Sequence, residues 1–145
     1  MTRDLPLAAA LLALLVLGLA ASPAANAKKE AAKMEWKGAF CRVEEPSHRV
    51  VKTAAQWQRL WRDIGRPAPA LDLTRYDAVA VFLGRRNTGG YGVVFAEAVV
   101  KSSSTVVGYR VKEPSGFVTQ VLTAPFAVRL YDKSDKPVSV EAFGK

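Results

Sequence analysis

One cysteine and one histidine stand in a chain of 145 residues. A lone cysteine excludes an intrachain disulfide. A His/Cys metal site needs more ligands than one of each. Cys41 and His48 flank the turn Glu44-Glu45-Pro46-Ser47. They offer one nucleophile–base geometry, contact across a hairpin, with no third residue nearby to orient the base. Cys41 follows Phe40, and it is read either as a buried inert thiol or as one available for pairing between molecules. Acidic residues are also scarce, 13 against 21 Lys and Arg. They are dispersed along the chain without a local acid/base pair. The phosphate-binding pattern G-x-x-x-x-G-K-[ST] is absent, as are internal repeats and recognised nucleic-acid-binding motifs. The residues therefore nominate no catalytic group, no metal ligand, no cofactor and no nucleic-acid partner.

The charge is +8 and the isoelectric point near 9.9. That balance favours acidic partners, such as an anionic surface or an acidic protein. The basic residues are scattered rather than gathered into one stripe.

Long apolar runs are missing except at the start. Leu7–Ala20 is almost unbroken Leu, Ala and Val, followed by small residues and by Ala25-Asn26-Ala27 before Lys28-Lys29. An apolar core followed by an A-x-A site is the pattern of a secretory signal peptide. The run is shorter than the roughly 20 residues of a spanning helix. Residues 1–27 are therefore expected to be a signal peptide cleaved after Ala27, with an uncleaved anchor as the alternative. This predicts a periplasmic or secreted protein with no transmembrane segment in the mature chain. No cysteine at the cleavage site signals acylation. Residues 28–33 read as a flexible lead-in, and residues 34–145 as a single domain.

One helix is expected, over about 53–64. Thr53 and Gln56 form a capping box, and Trp57, Leu60, Trp61 and Ile64 fall on one stripe. Gly65 and Pro67 stop it. Arg59, Arg62 and Arg66 lie off the stripe and read as a solvated face. Around the helix the chain is strand-like. The segments are 35–43, 48–52, 77–83, 91–100, 105–112, 117–123, 126–131 and 138–143, separated by Pro, Gly and Ser turns. Segments 77–83 and 91–100 are apolar on both faces, as in central strands covered on two sides. The connections are of hairpin length, which predicts antiparallel pairing. The expected class is α+β: a curved antiparallel sheet or small sandwich with one amphipathic helix packed on it.

Gly84-Arg85-Arg86-Asn87-Thr88-Gly89-Gly90-Tyr91 joins two of these strand segments. Phosphate-cradling loops lead into a helix N-terminus, and this one leads into a strand. It reads either as a long hairpin loop shaped by its glycines or as a contact surface carrying two arginines.

That loop is one half of a resemblance. The other half is Val118-Thr119-Gln120-Val121-Leu122-Thr123-Ala124-Pro125-Phe126, after the Glu113-Pro114-Ser115-Gly116 turn. Together, over residues 79–131, they resemble the C-terminal domain of the protease complex subunit PrcB family. The resemblance implies an exported, non-catalytic accessory protein that binds a protease or another exported protein. The family's best-known member is a lipoprotein, and the missing acylation cysteine withholds that tether here. The same two loops bear a fainter likeness to those of chagasin-type cysteine-protease inhibitors, but the first loop's proline and the second loop's arginine are absent. The expected partner-binding residues are Arg85, Arg86, Asn87, Thr88, Gly89, Gly90, Tyr91, Thr123, Pro125 and Phe126. Tyr91 and Phe126 are anchors in that reading and core residues in the competing one. A ligand-binding or structural envelope domain and an enzyme with a dispersed site remain the other readings.

Overall fold

The computed structural model describes residues 34–144. The expected signal peptide and the expected lead-in lie outside the described residues. The elements are β1 (Glu35–Gly38), β2 (Ser47–Val51), α1 (Ala54–Ile64), β3 (Tyr76–Phe82), β4 (Gly92–Phe95), β5 (Val99–Val100), β6 (Thr105–Lys112), β7 (Phe126–Asp132) and β8 (Val138–Ala142). The first sheet has the order β1-β7-β3-β2 and is antiparallel throughout. In the second, β6 is the hub. β4 and β5 pair with successive parts of it, antiparallel, and β8 runs parallel to it. This is the expected α+β class, a small sandwich with one helix among the described residues.

β3 and β7 organise the layers. They pair from Tyr76↔Asp132 to Phe82↔Phe126. Alternation sends successive side chains to opposite faces. Ala78, Ala80, Phe82, Phe126, Val128 and Leu130 join the helix residues Trp57, Leu60, Trp61 and Ile64 in one core. Val79, Val81, Leu83, Ala127 and Tyr131 join Val93, Phe95 and Val107 of the second sheet in another. The first sheet is thus the middle layer of three.

The helix is held at both ends. Thr53 Oγ1 accepts from Gln56 N–H, and Gln56 Oε1 accepts from Thr53 N–H. Past its end, Gly65 N–H donates to the Arg62 carbonyl and Arg66 N–H to the Trp61 carbonyl, a Schellman closure. Trp57 and Trp61 meet Trp36 of β1 in a triangle of edge-on rings with centroids 5.5–5.6 Å apart. Arg66 is exposed, as expected, and its guanidinium also lies over the Phe126 ring at 5.0 Å.

Three expectations are corrected. Segment 91–100 is not a central strand: β4 pairs only with β6, and the chain leaves strand geometry at 96–98 before β5. Segment 117–123 is a loop, because its polar backbone groups bond to the 86–89 loop instead of a ladder. Pairing is not all antiparallel. β7 crosses to the first sheet between β6 and β8, so β8 returns alongside β6 in the same direction.

Asp77, only 2% exposed, ties the layers together. Its Oδ2 accepts from Lys52 Nζ and Ser134 N–H, each at 3.0 Å, and its Oδ1 lies 2.9 Å from Lys133 Nζ. Burial pushes the carboxyl pKa up, but the Ser134 amide and the two ammonium groups outweigh it, and the net shift is downward. A depressed folded pKa adds stability in full above the unfolded value of about 3.9 and loses it as pH falls through the folded one.

Two outcomes are expected. Asp77→Asn lowers unfolding free energy at pH 7 by roughly 2–4 kcal/mol, since two cations lose their buried partner, and flattens the fall in Tm below about pH 4. Trp61→Ala costs about 3–5 kcal/mol in urea denaturation, as a large cavity opens under the helix.

Candidate functional site

The two loops anticipated as a pair are clipped together. Arg86 and Thr123 exchange both backbone hydrogen bonds, at 2.8 and 2.9 Å, as an isolated antiparallel bridge. Gly89 N–H donates to the Thr119 carbonyl at 2.9 Å, and Leu83 N–H to that of Pro125 at 3.0 Å. Thr123 Oγ1 donates to the Thr88 carbonyl at 2.9 Å. The second loop is also fixed to the end of β1, where Ala124 N–H donates to the Ala39 carbonyl.

Two glycines are required by this arrangement. Gly84 has φ +74°, and a Cβ there would lie 2.7 Å from Pro46. Gly90 has φ +89°, and a Cβ there would lie 2.7 Å from Pro114 and 3.0 Å from Val118. Both combine a left-handed backbone with close approach of another segment.

The anticipated contact residues fall into separate groups. Arg85 and Asn87 are exposed. Arg85 Nη2 meets Glu44 Oε1 at 2.6 Å, with both side chains more than half exposed. Such a pair contributes about 0–1 kcal/mol, so another carboxylate can replace it at little cost. Arg86 is half-buried with its guanidinium 5.0 Å above the Tyr91 ring. It is not a free charge at the loop tip. Thr88, Gly89 and Tyr91 are half-buried, and Gly90 is exposed. Thr123, Pro125 and Phe126 are buried, and Phe126 belongs to the helix core. This corrects the expectation that they form a contact surface: they anchor the second loop from beneath.

The exposed apolar residues of the second loop were not anticipated. Phe117 is fully exposed, Leu122 is 59% exposed and Val121 is 40% exposed. Phe40, just after the Ala39 anchor, is 56% exposed. The strand expected over 117–123 would put Phe117 in a sheet. Its position directly after Pro114-Ser115-Gly116 was the available sign of a loop.

The Cys41–His48 pair does not assemble. Cys41 Sγ donates to the Val43 carbonyl at 3.5 Å, and burial pushes its thiol pKa up. His48 is exposed on β2. Among the described residues no group of three His, Cys, Asp or Glu is placed to hold a metal ion. No helix there is long and apolar enough to cross a membrane.

The stretch that holds the clip also carries the likeness to known proteins. Residues 78–128 match the family described as PrcB C-terminal. The match runs from β3 through both loops to the middle of β7. Comparisons with curated proteins and with solved structures give no match.

Gly90→Ala is expected to cost roughly 1–3 kcal/mol through backbone strain. It should also speed hydrogen exchange at the Gly89 and Thr123 amides far more than at β3, which checks that the clip opens locally.

Proposed function

We propose that this chain is an exported, non-catalytic accessory module that binds a partner protein, a protease or another exported protein, through its clipped loops. One observation carries the reading. The two loops within the PrcB C-terminal match are locked to each other by hydrogen bonds, and the locked loop leaves Phe117, Val121 and Leu122 in solvent. Exposed apolar side chains on a braced loop suit a docking surface, because little ordering entropy remains to be lost on binding. Arg85 and Asn87 supply polar contacts beside them, and Arg85 exchanges Glu44 for an acidic group of the partner. The net charge of +8 favours such a partner.

The location is read from Leu7–Ala27, whose pattern is that of a leader. Blotting fractionated cells for the mature form checks it independently.

The binding role is tested with a photoreactive residue at position 117 or 122 in living cells. A discrete crosslinked product to one exported protein is expected. Phe117→Asp with Leu122→Asp should reduce complex recovery at least about tenfold, the loss of a small apolar anchor pair, while Tm stays within a few degrees. Unchanged recovery with the double variant would remove the loop from the interface.

A further inference from the structure

A cavity of about 410 Å³ opens between the two sheets, away from the clipped loops. It is bordered by the 97–100 stretch, the start of β6 and residues 129–136. Its volume is within the range of small-molecule sites.

The decisive side chain is Arg129. It lies on the inter-sheet face of β7, lines the cavity and is only 8% exposed. A buried guanidinium carries five N–H donors that need acceptors. Arg129 Nη2 donates to Glu97 Oε1 at 2.7 Å, and Nη1 makes a long 3.5 Å contact with the Phe95 carbonyl. Its Nε is buried without a hydrogen-bond partner. The guanidinium is held 5.1 Å over the ring of Tyr131, whose hydroxyl donates to the Ala96 carbonyl. The cation is thus preorganised and incompletely satisfied.

Among the described residues one carboxylate, that of Glu97, lies within ion-pair distance of Arg129; Glu35, its cross-strand neighbour on β1, pairs with Lys37. The Glu97 side chain is 85% exposed. Holding an exposed arm in place costs side-chain entropy, so the bond is readily exchanged. Ala98 and Val100 supply apolar wall, and the Thr105 and Ser134 hydroxyls meet at 2.9 Å on the border. Asp132 and Asp135 line the cavity together with Lys133 and Lys136, so those four charges cancel and Arg129 with Glu97 is the remaining ion pair of the lining.

We propose that this cleft binds a monocarboxylate with a short apolar body. Arg129 anchors the carboxylate through a charge-assisted fork. Glu97 is the built-in occupant that the ligand displaces. The chemistry is shared by the C-terminus of a peptide and by a small organic acid.

The test uses the full chain with N-acetyl-Ala-Val as the free acid, its C-terminal amide, and hexanoate. Binding is followed by calorimetry and by NMR shifts of the Thr105 and Ser134 amides. Saturable binding of at least one acid is expected, with the amide at least about tenfold weaker because it lacks the charge. Tighter binding of the peptide acid identifies a peptide C-terminus, and tighter binding of hexanoate identifies a free acid. Glu97→Ala should tighten binding about tenfold, since removing a competing occupant raises the competent fraction. A merely structural ion pair would not produce that gain. Arg129→Met should abolish binding, and the Glu97→Ala result stands even if that variant does not fold. No saturable shift with either acid at about 10 mM, a concentration that reveals even millimolar affinity, in parent and Glu97→Ala alike would overturn the proposal. So would an amide that binds as tightly as its acid.

Discussion

The pairing of β3 with β7 is the constraint on which the other layers depend. Their seven-residue register runs through the middle of the molecule, and each strand is covered on both faces. One set of side chains receives the helix and the other receives the second sheet. A slip of one residue would exchange the two sets. It would set Val79 and Val81 against the indoles that now pack with Ala78 and Ala80. The small alanines leave room that Trp57 and Trp61 occupy, so register, helix position and the Trp36 contact of β1 are one packing solution.

Two charges are built into the inter-sheet side of this pair, with opposite degrees of satisfaction. Asp77 is enclosed by two ammonium groups and an amide, which links β2, β3 and the β7–β8 turn. Its carboxylate is stabilised despite burial by the Ser134 amide and the two ammonium groups around it. Arg129 leans on an aromatic ring and one solvent-borne carboxylate, and leaves Nε without a partner. The first arrangement closes the fold. The second leaves bonding capacity beside a cavity.

The clipped loops show how a motif shared with a family divides its labour. Gly84, Gly90, Thr123 and Pro125 shape and fasten the loops, and Arg86 stacks on Tyr91. The residues left in solvent are Phe117, Val121 and Leu122 together with Arg85 and Asn87. Where the backbone must take an unusual path, residue identity is set by geometry, and such positions stand out in a sequence for structural reasons.

By itself the sequence determined the helix, its caps and its buried stripe, because i, i+3, i+4 spacing and cap chemistry are local. It determined the strand-rich remainder and the two-sided burial of 77–83, since unbroken apolar runs have few other uses. It also singled out the two loops as a pair. Tertiary structure decided what local pattern does not encode. Segment 91–100 is as apolar as β3 yet ends as an edge, because β6 has partners on only two sides. Segment 117–123 is strand-like in composition, yet its amide and carbonyl partners belong to a loop about 35 residues away. Arg129 and Glu97 are likewise far apart in the chain and meet only when the sheets close. Burial of Thr123–Phe126 and exposure of Phe117 follow from the same closure, since a residue's side of the surface is a property of its neighbours in space.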